Sequence, residues 1–208
     1  MWFEHEVRPR LAGRARMVRF ADDVVMVFET EQDARRVWET LPKRLGRFGL
    51  ELHPDKTRLV DFRRPSGGPG TDDVVEVASF DTLGFTHHWG RSRKGRWVVK
   101  RKTARNRLAR ALVRLNAWCQ VNRHKRVAEQ WVALGHKVRG HYSYFGVTGN
   151  MPALRRFHHR VERCWRRWLT RRSWQAKMPW SRFQCLLARY PIPPPRVVHS
   201  VYRQAANP

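Results

Sequence analysis

Acidic residues all but vanish from the second part of this sequence: beyond residue 85 only Glu129 and Glu162 remain. Cysteine is scarce as well. Cys119, Cys164 and Cys185 are odd in number and widely spaced, which excludes both a disulfide framework and a Cys-x-x-Cys metal pair. No stretch approaches the roughly 18 consecutive apolar residues of a membrane span. The N-terminus, Met-Trp-Phe-Glu-His-Glu-Val, has no basic stretch followed by an apolar run, so no secretory signal is expected. His87-His88 and His158-His159 are adjacent pairs with no cysteine or acid at zinc spacing. Gly67, Gly68 and Gly70 lack the strand, loop and Lys/Ser order of a phosphate cradle.

What is present is charge of one sign together with large apolar side chains. The 208 residues hold 43 Lys+Arg against 17 Asp+Glu, a formal charge of +26. A hydrophobic content of 41% with 10 Trp marks a folded protein, since disordered basic tails are poor in such residues. The charge is partitioned. Residues 1–85 carry 14 basic and 15 acidic residues, a net of −1, and residues 86–208 carry 29 and 2, a net of +27. A near-neutral segment joined to an intensely basic one implies two modules with different tasks, and nucleic acid is the default partner of the second.

The first segment reads as α+β. Arg16–Phe20 and Val24–Phe28 are two short strands around Ala21-Asp22-Asp23, a tight hairpin. Thr30 is an N-cap with Asp33 three residues on, a capping-box pattern. Ala34, Val37, Trp38, Leu41, Leu45 and Phe48 then follow at helical spacing, with Pro42 expected to kink or break the helix. Leu59–Phe62 reads as a strand, Pro65–Gly70 as a surface loop, and Val74–Val77 and Phe80–Trp89 as extended. A basic turn, Gly90–Gly95, leads into Arg96–Lys100 as a second hairpin.

The second segment reads as helices. Leu108, Leu112, Leu115 and Trp118 form one apolar stripe, Val127, Trp131, Leu134 and Val138 another, and Leu154, Phe157, Val161, Trp165 and Trp168 a third. Arg107, Arg110 and Arg114 line the opposite face of the first helix, and Arg155, Arg156, Arg160, Arg163, Arg167 and Arg171 back the third. Solvated helix faces normally mix signs for i,i+4 pairing, and these have almost no acids to pair with. Tyr190–Pro195 is expected to run extended along the surface, and the cysteines to be buried thiols.

One short stretch suggests chemistry. Phe20-Ala21-Asp22-Asp23 lies between apolar strands, so a strand–turn–strand presents adjacent carboxylates, the ligand type Mg²⁺ prefers. Asp72-Asp73 is a built-in control: it follows a Gly/Pro loop without an apolar strand and reads as turn chemistry.

Arg19-Phe-Ala-Asp-Asp23 resembles the palm hairpin of reverse transcriptases, with Phe20 where Tyr is usual. Gly49-Leu-Glu-Leu-His-Pro-Asp-Lys-Thr57 resembles the family's next palm motif, and Phe80-Asp-Thr-Leu-Gly-Phe85 its primer-grip turn, with Thr82 in place of a Phe. Lys137–Gly146 and Trp165–Arg172 resemble the thumb and maturase (domain X) segment of group II intron-encoded proteins of bacterial class C. The order and spacing of these motifs are more specific than any one of them.

The resemblance implies a partial reverse transcriptase palm over residues 1–90 and an all-α thumb and maturase region over 91–208. It implies that Asp22 and Asp23 bind the catalytic Mg²⁺, that Lys56 lies near the incoming nucleotide, and that Leu83 and Gly84 seat the primer end. Arg139, His141, Tyr142 and Tyr144 would face RNA together with the helical Arg107, Arg110, Arg114, Arg160, Arg163 and Arg167, with Tyr142 and Tyr144 stacking on bases. The implied partners are group II intron RNA, target DNA and an N-terminal reverse transcriptase fragment, in a bacterial cytoplasm. Members of the family carry a further metal-binding Asp on an earlier palm strand. Only Glu4 and Glu6 precede Asp22 here, so the expectation is a C-terminal part beginning mid-palm, with weak or absent Mg²⁺ binding and no polymerase activity alone. The alternatives are the C-terminal half of a split, active RNA-directed DNA polymerase and a non-enzymatic structural RNA-binding protein.

Overall fold

A computed structural model describes residues 2–65, 78–175 and 177–200. The expected loop Pro65–Gly70 beyond Pro65, the extended Val74–Val77 and the Asp72-Asp73 pair lie outside the described residues. The fold is α+β and divides into two compact units, Met1–Leu83 and Gly84–Pro208. Among the described residues no helix is long and apolar enough to cross a membrane.

In the first unit, β1 (Ala15–Phe20) and β2 (Asp23–Phe28) pair antiparallel from Ala15↔Phe28 to Phe20↔Asp23, so the turn is only Ala21-Asp22. Ala21 has φ 52°, the positive value a two-residue hairpin turn needs at its first position and one that Ala adopts at a cost of about 1–2 kcal/mol. Helix α1 (Glu31–Gly46) starts as the sequence suggests, with Thr30 accepting from the Asp33 N–H at 3.3 Å. Asp33 does more than complete a capping box. Its carboxylate is buried, takes the Thr30 hydroxyl at 2.8 Å, and accepts the backbone N–H groups of Gly13 (2.9 Å) and Ala12 (3.2 Å). The Gly13 and Thr30 hydrogen bonds hold its pKa below the usual carboxylate value.

Two expectations for this unit fail for physical reasons. Pro42 neither breaks nor ends α1; it lies on the exposed side, where water can serve the carbonyl it leaves without a donor. Leu59–Phe62 is not a strand. Asp61 accepts from the backbone N–H and guanidinium of Arg63, and such local bonds compete with a β-ladder. Ahead of β1, a short helical turn at Phe3–Val7 buries Phe3 edge-on to Phe28, centroids 6.3 Å apart. Strand β3 (Ser79–Thr82) ends the unit.

The second unit opens with β4 (Phe85–Arg91) and β5 (Trp97–Thr103), antiparallel from Phe85↔Thr103 to Arg91↔Trp97, the expected second hairpin. Helices α2 (Arg105–Val121), α3 (Val127–Phe145) and α4 (Met151–Thr170) occupy the three apolar stripes. A fourth, α5 (Trp180–Arg189), lies in a stretch where no helix was expected, although Trp180, Phe183 and Leu187 have helical spacing. On α4, Leu154, Phe157, Val161, Trp165 and Leu169 are all buried, and each contributes about 1.5–3 kcal/mol of burial. They meet Leu115 and Cys119 of α2, Leu134 and Val138 of α3, Phe183 of α5 and Ile192 of the tail. The tail is thus partly core rather than only surface. Of the cysteines Cys119 is buried, Cys164 half-buried and Cys185 exposed, so the expectation of three buried thiols fails at Cys185.

A buried amide joins these elements. Asn150 is 1% exposed; its side chain accepts the Thr103 N–H at 2.9 Å and donates to the Thr103 hydroxyl and the Phe145 carbonyl, both at 2.8 Å. Asn150→Ala removes these bonds and strands a buried N–H and a buried carbonyl, an expected loss of about 3 kcal/mol. The thermal midpoint should fall by roughly 10 °C in calorimetry or a circular-dichroism melt; a fall of one or two degrees would show the network to be dispensable.

Candidate functional site

The paired carboxylates sit where a hairpin puts them. Asp22 is the second turn residue and Asp23 the first residue of β2, and both are exposed. Because paired residues share a face, Arg16, Val18 and Phe20 lie beside Val27, Val25 and Asp23 on one side of the ribbon. On that side Val18, Phe20 and Val27 are 66%, 67% and 61% exposed. Arg19 closes the turn by donating from Nε to the Ala21 carbonyl at 2.8 Å. Lys56 is exposed in a separate turn, His53–Thr57, held by bonds from the Lys56 and Thr57 N–H groups to the His53 carbonyl. No hydrogen bond or ion pair links Lys56 to Asp22 or Asp23. Leu83 and Gly84 form a turn with φ 49° and 79°, the consecutive positive values of a tight turn.

The donor set for a metal is short. Among the described residues no group of three or more His, Cys, Asp or Glu side chains could hold a metal ion. Asp22 and Asp23 supply two carboxylates; Mg²⁺ accepts one or two when substrate phosphates and water complete its octahedron. The pair suits a substrate-assisted ion and makes no cage of its own.

In the second unit the arginines divide from the aromatics. Arg107, Arg110 and Arg114 on α2, Arg139 on α3, and Arg160, Arg163 and Arg167 on α4 are all exposed. Their helices offer few acids. Glu162 is engaged by His158 at 3.3 Å and His159 at 3.9 Å, and among the described residues none of the seven forms an ion pair with an acid. The helices therefore present concentrated, uncompensated positive charge.

His141 and Tyr142 do not belong to that face. Tyr142 is fully buried, with its hydroxyl 3.2 Å from His158 Nδ1, and burial pushes its pKa up. It has no open ring face for a base. His141 stacks on Phe157 with centroids 3.7 Å apart and an interplanar angle of 15°, and its Nε2 is buried without a partner. Both follow the α3 stripe at 134, 138, 141 and 142, and helical periodicity marks them as core. Tyr144 is 53% exposed but already stacks on Phe85 at 5.9 Å. Trp165 is core, donating to Gln130 Oε1 at 3.0 Å, and Trp168 donates to Asn116 Oδ1 at 2.9 Å. The fully exposed aromatic is Trp174, just past α4. Its signal in the sequence is that it falls outside every helical stripe, between Arg171-Arg172 and Lys177.

Burial lowers the His141 pKa to about 4. The unfolded chain takes that proton near pH 6.5 and the folded protein only near 4, so stability is complete above 6.5 and falls between those values as pH drops. His141→Phe should flatten this limb of a plot of denaturation midpoint against pH. A residual slope is expected from His88, also lowered by burial and by Lys102. An unchanged profile would mean that His141 ionises freely in the folded state.

Searches of curated proteins and of solved structures returned no match. Residues 2–87 match the family described as reverse transcriptase (RNA-dependent DNA polymerase), a span holding the Asp22-Asp23 hairpin, Lys56 and the Leu83-Gly84 turn. The match supports a reverse transcriptase family.

Proposed function

We propose that this chain is a group II intron reverse transcriptase/maturase-type protein whose helical unit binds intron RNA and assists its splicing. The observation that carries the reading is the exposed arginine rows of α2 and α4, whose guanidinium groups pair with no acid among the described residues, in a unit of net charge +27. Guanidinium groups neutralise phosphates and release their counterions, so affinity should depend steeply on salt. The likeness of Lys137–Gly146 to a maturase segment adds the intron as the RNA in question. Binding of a labelled group II intron RNA should weaken with a log–log salt slope of about 0.7–0.9 per phosphate contacted. The triple variant R107Q/R110Q/R114Q should lower that slope by about 2. A salt-independent affinity would sink the reading.

For the first unit, two exposed carboxylates without a third ligand among the described residues fit weak Mg²⁺ binding and no nucleotidyl transfer by this chain alone. A second reading is favoured by the exposed apolar face of the β1–β2 ribbon, whose two outer edges pair with no other strand among the described residues. An N-terminal reverse transcriptase piece would cover that face and supply a third carboxylate, completing an RNA-directed DNA polymerase. Purified chain should show no Mg²⁺-dependent primer extension, and extension that appears only on adding such a piece would decide for a split enzyme. Robust extension by the chain alone would overturn both versions.

A further inference from the structure

The C-terminal end of α4 holds a cluster that the general charge of the unit does not explain. Arg163, Arg166, Arg167, Thr170 and Arg171 line one concavity of about 220 Å³. No acid lines it, and four guanidinium groups gathered there repel one another unless an anion joins them. Arg166 is fixed in place. One Nη donates to the Met178 carbonyl at 2.9 Å, the guanidinium lies 4.4 Å from the centroid of Trp180, and its Nε is buried with no hydrogen-bond partner. Arg171 lies over the Trp168 ring at 5.4 Å. Thr170 gives its hydroxyl hydrogen to the Arg166 carbonyl at 3.0 Å, so donors for a ligand come from the arginines. Helix-end arginines often serve the last carbonyls of their own helix. Arg163 and Arg167 do not; neither makes a hydrogen bond or ion pair among the described residues.

The volume selects the ligand. It is below the roughly 300 Å³ at which pockets begin to enclose drug-sized molecules, so it has room for a phosphate group and leaves any attached base outside. Trp174 follows Arg171 by three residues, within about 10 Å even for an extended chain, and its side chain is wholly exposed. Exposed aromatics beside a basic groove are what single-stranded polynucleotides use, since every base has a face to stack.

We propose that the end of α4 is a binding site for single-stranded RNA, with one backbone phosphate held by Arg163, Arg166, Arg167 and Arg171 and a neighbouring base stacked on Trp174. The site rests on the RNA reading of the helical unit and adds to it a place and a strand preference. The full chain is titrated with a fluorescent ten-nucleotide oligouridylate and with a blunt RNA duplex of equal length, at two salt concentrations. Trp174→Ala should weaken the single strand about tenfold and change duplex binding little. R163Q/R167Q should weaken both and lower the salt slope by about one. Circular dichroism shows whether each variant is folded, and since all three side chains are exposed, folding should be retained. If W174A binds the single strand as the unmutated chain does, or R163Q/R167Q leaves the slope unchanged, the site is wrong while the RNA reading stands. If the unmutated chain binds neither RNA, the RNA reading itself is wrong and the site falls with it.

Discussion

The second unit depends on one buried amide. Asn150 satisfies groups from three elements at once: the end of β5 through Thr103, the end of α3 through the Phe145 carbonyl, and the start of α4, where it sits at the cap position. Its own carbonyl accepts the first helical N–H groups, from Ala153 at 3.0 Å and Leu154 at 3.2 Å. A buried polar group is costly unless fully paired, and once paired it fixes a single arrangement. Apolar contacts along α4 supply most of the burial but would tolerate some sliding. The amide sets where hairpin and helices begin and end, and so which residues of α4 face outward.

That orientation gives the charge its direction. With Phe157, Val161, Trp165 and Leu169 turned inward, Arg160, Arg163 and Arg167 turn outward on the same helix. The core must hold the unit together against the self-repulsion of a net charge of +27. A polyanion removes that repulsion, so an RNA ligand would both be recognised by the unit and stabilise it.

The parts of the fold legible in the sequence were those set by local periodicity. The hairpin around Asp22, the Thr30 cap and the stripes of α2, α3 and α4 all lie where spacing puts them. Long-range partners were not legible. Thr30 with Asp33 signals a helix start, but nothing in that spacing says the carboxylate also gathers Ala12 and Gly13. Leu59–Phe62 has the residue types of a strand and lost to the local Asp61–Arg63 bonds. At the candidate site the motif resemblance placed His141 and Tyr142 on an RNA face, whereas the α3 stripe already put them in the core. The resemblance groups residues by chain segment; burial is decided one side chain at a time. Trp174 shows the reverse: it falls outside every helical stripe, and the fold leaves it in solvent.

The end of α3 has a further consequence. A Cβ at Gly146 would sit 2.8 Å from the Arg196 carbonyl, because the returning tail presses directly on that backbone. Val198 and His199 donate their N–H groups to the Gly146 carbonyl at 2.6 and 2.9 Å, and the His199 ring lies 2.7 Å from the Ser143 carbonyl through Nε2. Residues some fifty positions apart are thereby tied to the end of one core helix. Val147 and His199 form an isolated parallel β-bridge, so the tail clasps the turn that follows α3.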